Sequence, residues 1–200
     1  MWEIEISKFF YRGETLFTKV FECVGEAPAL IPFIYLFVVL SFFLFKKIER
    51  KELNKNLLFS CYLIVVVVLS ATVVSALKHL FNRVRFVDLA PNYQNYTPFW
   101  EIGNGGNSFP SGHASMSATS ILLVDINERH KVFKSKVVPL VFSSIFTILT
   151  AFSRLTAGAH FITDLVFGIL ITLITRWILM KIYLRYTLNI KDKTNHSPLT

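Results

Sequence analysis

The sequence predicts an all-α integral-membrane bundle, with about five transmembrane helices and an N-terminal amphipathic helix lying in the interface. Three observations lead there. Hydrophobic residues make up 53% of the 200, twenty of them Phe, and the mean hydropathy is +0.51. Three long stretches carry no charge. The lysines and arginines cluster in the linkers between such stretches rather than on one face of a soluble fold.

The elements follow in order. In residues 1–26, Ile6, Phe9, Phe10, Gly13, Leu16, Phe17, Val20 and Val24 recur at helical spacing, with Lys8, Arg12, Lys19, Glu22 and Glu26 on the other face. That pattern predicts one helix lying on the membrane. Segments 29–45 and 137–153 hold seventeen uncharged residues each, and segment 57–77 holds twenty-one. Crossing the hydrocarbon takes roughly 17–25 apolar residues, so all three qualify as spans. Two further spans are less apolar. Residues 112–126 carry Ser115, Ser117, Thr119 and Ser120, small hydroxylated side chains suited to tight helix–helix contact. Residues 161–182 are interrupted by Asp164 and Arg176. Arg176 reads as a residue that snorkels to the inner interface, and Asp125 as a cap on the inner end of its span. Residues 1–188 form a single domain, and 189–200 a flexible cytoplasmic tail.

Basic residues set the orientation. Linker 46–55 has five Lys/Arg, linker 127–136 has four, and residues 181–200 have four. With five spans these lie on one side, the cytoplasmic one, and the net charge of +8 is mostly a topology signal. No nucleic-acid partner is expected, because no basic face with groove-reading or aromatic elements is present. Neither cysteine, Cys23 or Cys61, suggests a disulfide, and no Cys/His cluster has zinc spacing.

Three polar islands stand out against this background: Lys78 and Arg85, seven apart; Pro110-Ser111-Gly112-His113; and Ser153-Arg154 followed by His160 and Asp164. His160 and Asp164 share a helix face at i, i+4. A carboxylate on one ring nitrogen fixes the tautomer and leaves the other nitrogen free to attack. His113 has no carboxylate at helical spacing, which suits an acid/base group. Ser111 and Gly112 precede a helix, whose first amides and partial positive charge favour an anion. Lys78, Arg85 and Arg154 are cations of the kind that hold phosphate. Arg83 lies between them and is a candidate for a supporting electrostatic role.

In order and spacing, the islands resemble the signature of the type 2 phosphatidic acid phosphatase family: Lys-x6-Arg-Pro, Pro-Ser-Gly-His, and Ser-Arg-x5-His-x3-Asp. Phe86 departs from that pattern by standing where the family has proline, which puts the turn after Arg85 in question. The resemblance implies a metal-independent phosphatase of a lipid phosphate or pyrophosphate, with no cofactor. It gives His160 the role of nucleophile and Asp164 that of orienting it. His113 becomes the acid and base, while Lys78, Arg85, Ser111, Gly112 and Arg154 bind phosphate. Its expected partners are the bilayer and the lipid substrate, with no protein partner implied. The family spans several lipids, and the leaning is toward a bacterial envelope lipid, lipid A 1-phosphate or the undecaprenyl carrier, with phosphatidylglycerol phosphate an alternative. The implied place is the bacterial inner membrane with the site facing the periplasm. The fold also resembles that of the vanadium haloperoxidases, which are larger soluble proteins, and a non-catalytic lipid-binding or transport protein is the remaining alternative.

Overall fold

A computed structural model describes residues 2–45, 47–103 and 105–195. Among these residues the long elements are all helices: α1 (Trp2–Phe10), α2 (Leu16–Val24), α3 (Ile31–Leu44), α4 (Arg50–Phe81), α5 (Gly112–Ala118), α6 (Leu122–His130), α7 (Val137–Thr156) and α8 (Ile162–Asn195). Four helical stretches are long and apolar enough to cross a membrane: Leu16–Leu44, Arg50–Asp88, Val137–Thr156 and Ile162–Asn189. Their outer faces expose large apolar side chains such as Phe33, Phe37, Phe142, Ile148 and Trp177, as lipid contact requires. Of the expected tail at 189–200, residues up to Asn195 continue α8, and 196–200 lie outside the described residues.

The amphipathic N-terminus is not one helix. It breaks at residues 11–15, where Gly13 takes φ +70°, a conformation glycine adopts without strain. Thr15 then caps α2 by accepting from the Thr18 amide at 3.2 Å. The α1 helix turns Glu3, Ile4 and Ser7 inward, so part of its polar face is core. The α2 helix runs on through a 3₁₀ turn at Ala27–Leu30 into α3, so its amphipathic sequence leads into a membrane-length stretch.

The centre of the bundle is the helical run from Gly112 to His130, which contains a 3₁₀ turn at Thr119–Ile121. At 1.5 Å per residue it is ~28 Å long. It is not among the four apolar stretches, because its surface is protein-facing and polar. Ser115 bonds Thr172 at 2.8 Å, Ser120 bonds Ser143 at 2.7 Å, and Thr147 donates to the Ser117 carbonyl at 3.3 Å. The hydroxyls expected to mediate close packing do so.

Arg176 does not snorkel. It makes a bidentate pair with the buried Asp125, with Nε 2.9 Å from Oδ2, and Tyr62 donates to the same carboxylate at 2.8 Å. Asp125 is therefore half of an interhelical pair rather than a cap. A charge surrounded by helices gains more from a carboxylate than from a long reach to water. Nearby, Arg129 donates to Asn56 at 2.7 Å and to Tyr183 at 3.1 Å, tying α6 to α4 and α8.

Candidate active site

The C-terminal end of α4 sets the site. Asn82 ends the helix in the left-handed region at φ 45°, which asparagine tolerates. Gly103 and residues 105–108 then lie along the chain that follows Asn82. Gly103 donates to the Phe81 carbonyl at 2.7 Å, Gly106 to Asn82 at 3.0 Å, and Ser108 to Arg83 at 2.8 Å. A Cβ on Gly106 would lie 2.1 Å from the Arg83 oxygen, so only glycine permits this approach. The result is to carry Ser108 to the start of α8.

There Ser108 meets both members of the expected pair. His160 Nδ1 lies 2.7 Å from the Ser108 carbonyl oxygen. A carbonyl only accepts, so Nδ1 carries the proton and Nε2 keeps its lone pair. Asp164 sits 3.8 Å from Nδ1, in ion-pair range but beyond a hydrogen bond. Its oxygens accept instead from Ser108 Oγ at 2.5 Å, the Phe161 amide at 2.8 Å, and Arg83 Nη1 at 2.6 Å. The sequence therefore pairs the right residues, but a backbone carbonyl fixes the tautomer. Burial holds the His160 ring well below the ordinary imidazole range, at about 4, against the opposing pull of Asp164.

The residue behind Asp164 is Arg83, fully buried. It bridges Asp164 to Glu3 Oε2 at 2.8 Å, donates to Thr163 Oγ1 at 3.0 Å and to the Thr97 carbonyl at 2.8 Å, and lies over the Phe161 ring at 4.2 Å. Tyr96 adds a 2.6 Å bond to Glu3, and burial raises its phenol. Arg83 is thus a structural charge behind the site, with each of its three guanidinium nitrogens bonded to protein.

The other cations differ. Lys78 Nζ donates to the Asn107 carbonyl at 2.7 Å and has two more protons to give. Arg154 is 5% exposed, yet its Nε and Nη1 have no hydrogen-bond partner among the described residues. The nearest carboxylate, on Glu22, is 3.6 Å from Nη1. Arg85 Nε is also buried and unpartnered. Buried guanidinium donors without acceptors are costly, and an anion between them would satisfy both. Lys78 feels the charges of Arg85, Arg154 and Asp164, and His160 feels Lys78 and Arg85. Arg85 also lines a cavity of about 680 Å³ with Asn82, Asp88, Asn95 and Asn107.

Ser111 caps α5 by accepting from the Ala114 amide at 3.3 Å, while its own amide donates to the Asp164 carbonyl at 2.9 Å. Its hydroxyl proton remains to donate. The approach is made possible by Gly168, where a Cβ would stand 2.4 Å from the Ser111 oxygen. The Gly112 amide has no intrahelical acceptor at a helix start, and its Cα faces Lys78 Cε. His113 meets residues that its own helix spacing does not reveal: Glu26 Oε1 at 3.3 Å from Nδ1 and the Glu22 carbonyl at 3.2 Å from Nε2. All eight expected site residues converge. Glu3, Glu22, Glu26 and Ser108 were not foreseen, although the i, i+4 spacing of Glu22 and Glu26 just before an apolar stretch was a usable signal.

Phe86 opens a 3₁₀ turn. Arg85 before it has φ −75° and ψ 158°, the extended shape that a following proline enforces. The backbone keeps that form without the proline, and the ring packs on Tyr11 and Phe161 at 5.5 and 6.2 Å between centroids.

A helical membrane bundle that sets buried guanidinium nitrogens, without hydrogen-bond partners among the described residues, near a histidine–carboxylate pair is the class of membrane protein suited to handling a phosphoryl group. The chain belongs to the PAP2 superfamily, whose family model matches residues 59–188. Comparison with curated proteins and with solved structures gave no match. Members of this superfamily are phosphatases, and the chain is accordingly a phosphoric ester hydrolase of the membrane, of the kind that acts on lipid phosphates.

Proposed function

We propose that the protein removes phosphate from a bacterial envelope lipid, lipid A 1-phosphate or a related lipid phosphate, through a phosphohistidine intermediate. The observation that carries this reading is the set of guanidinium donors on Arg85 and Arg154 without hydrogen-bond partners among the described residues, with the Arg85 charge acting on His160, whose Nε2 is lone-paired. Lys78, Arg85, Arg154, the Gly112 amide and the Ser111 hydroxyl hold the phosphoryl oxygens. His160 Nε2 attacks phosphorus in line, forming the P–N bond as the bond to the lipid oxygen breaks. His113 gives that oxygen its proton. Water then attacks phosphorus, the P–N bond breaks, and His113 takes up the water's proton. Positioning and charge are what phosphoryl transfer chiefly needs, and the three cations provide the charge without a metal.

The Lys/Arg-rich linkers support a site on the periplasmic side of the inner membrane, with the central helix 112–130 as a fifth crossing. The polar cavity beside Arg85 supports headgroup selection by the outer loop 86–109. The test is phosphate release by purified protein in detergent from lipid A 1-phosphate, undecaprenyl pyrophosphate, phosphatidylglycerol phosphate and phosphatidic acid, with EDTA and with vanadate. Preference for lipid A 1-phosphate, survival in EDTA and inhibition by vanadate are expected. Preference for another lipid redirects the substrate assignment. Loss in EDTA restored by Mg²⁺ removes the metal-free mechanism.

A further inference from the structure

The chain ahead of the family match places two acidic residues at the site. Glu26 Oε1 lies 3.3 Å from His113 Nδ1, and the Glu22 carbonyl lies 3.2 Å from His113 Nε2. The segment is pressed tightly into place: a Cβ on Gly25 would lie 2.8 Å from Thr150 Cγ2 and 3.5 Å from His113 Cδ2. The Glu22 carbonyl at Nε2 only accepts, so Nε2 carries a proton, and the Glu26 carboxylate stands in ion-pair range of Nδ1, an arrangement that suits the doubly protonated form. Arg154 places a like charge near that form, with Lys78 and Arg85 beyond it. The Glu26 carboxylate is the countercharge on the histidine's own side of the cation cluster.

Resting on the phosphatase reading above, we propose that Glu26 is a positioning residue for His113, holding the ring by Nδ1 so that Nε2 carries the proton delivered to the departing lipid oxygen. The Glu22 carbonyl marks the direction of that N–H, and the leaving oxygen replaces it as acceptor when the P–O bond breaks. In the second half, Nε2 takes back a proton from the attacking water as the P–N bond breaks. The N-terminal segment is then part of the acid, although it lies outside the residues that define the family.

Single-turnover release of the leaving group tests this, comparing a lipid alkyl phosphate with an aryl phosphate, whose alcohol departs with little acid help. Glu26→Gln is expected to slow release of the lipid alcohol roughly 10- to 100-fold and of the aryl alcohol less than about threefold. Glu26→Asp recovers part of the loss. In a His113→Ala background, Glu26→Gln adds nothing further, since the two act as one unit. Equal losses on both substrates, or an undiminished loss in the His113→Ala background, overturn the proposal. A wild-type protein active on both substrates with an unaffected Glu26→Gln sinks this inference alone. A wild-type protein inactive on both sinks the phosphatase reading and this inference with it.

Discussion

His160 Nδ1 is bonded to the carbonyl oxygen of Ser108 at 2.7 Å, and the Asp164 carboxylate stands 3.8 Å away. The tautomer is thus held by a group that no side-chain substitution removes. Asp164→Asn is expected to keep the ring correctly protonated and to lower turnover by loss of charge alone, roughly 10²-fold. Ser108→Ala, which keeps the carbonyl, is expected to cost less than Asp164→Asn. Single-turnover phosphoenzyme formation measures both. A Ser108→Ala loss larger than that of Asp164→Asn would show that the hydroxyl, not the carbonyl, governs the ring.

Arg83 joins Glu3 to Asp164 in full burial. Removing one partner of a buried pair leaves uncompensated charge, at a cost of about 3–5 kcal/mol. Arg83→Met is expected to destabilise the protein on that scale in detergent. Arg83→Lys is expected to recover little, because one ammonium cannot reproduce the fork to both carboxylates. Thermal unfolding decides it, and a wild-type midpoint in Arg83→Met is the contrary result.

Burial pushes His160 down to about 4, while the unfolded chain titrates it near 6.5. Between those values the unfolded state binds the extra proton, so this residue's contribution makes stability rise with pH from about 4 to 6.5 and fall on acidification. Because the folded ring stays neutral over that range, the acid limb of kcat/KM should lie closer to 4 than to 6.5, with the substrate's own second ionisation near 6 accounted for. A pH–rate profile from 3.5 to 8 checks this, and a limb at 6.5 assigned to His160 would contradict it.

Much of this site was legible because its spacing is local. Asp164 follows His160 by four positions, close enough in sequence to meet, although His160 lies in the turn before α8, which begins at Ile162, and does not share a helix face with it. Glu3 meets Arg83 across 80 residues, and Glu26 meets His113 across 87; contacts of that range leave no period in a sequence. The same holds for Asp125 and Arg176, whose pairing depends on which faces of two helices meet. The apolar spans were readable from composition. The central helix was recognisable by its hydroxyls, while the break near Gly13 hid inside a pattern that stays in phase on both sides.

The proposed sidedness rests on the basic linkers. In cells carrying Cys23→Ser and Cys61→Ser, an impermeant thiol reagent is expected to label Asn95→Cys and to leave Arg50→Cys unlabelled until the membrane is opened. The reverse pattern would invert the bundle and put the cation cluster on the cytoplasmic side.

The hydroxyl-lined helix at 112–130 has a consequence for how the protein is made. Its contacts are supplied by Thr172 on α8 and by Ser143 and Thr147 on α7, both synthesised after it. Lipid tails cannot replace those partners. The helix that carries Ser111, Gly112 and His113 packs on α4 before it, but its hydroxyls lack these partners until the two helices behind it have emerged and folded back. Catalytic competence arrives last in biogenesis, so a nascent or prematurely terminated chain sits in the membrane as an inert intermediate rather than an unregulated hydrolase.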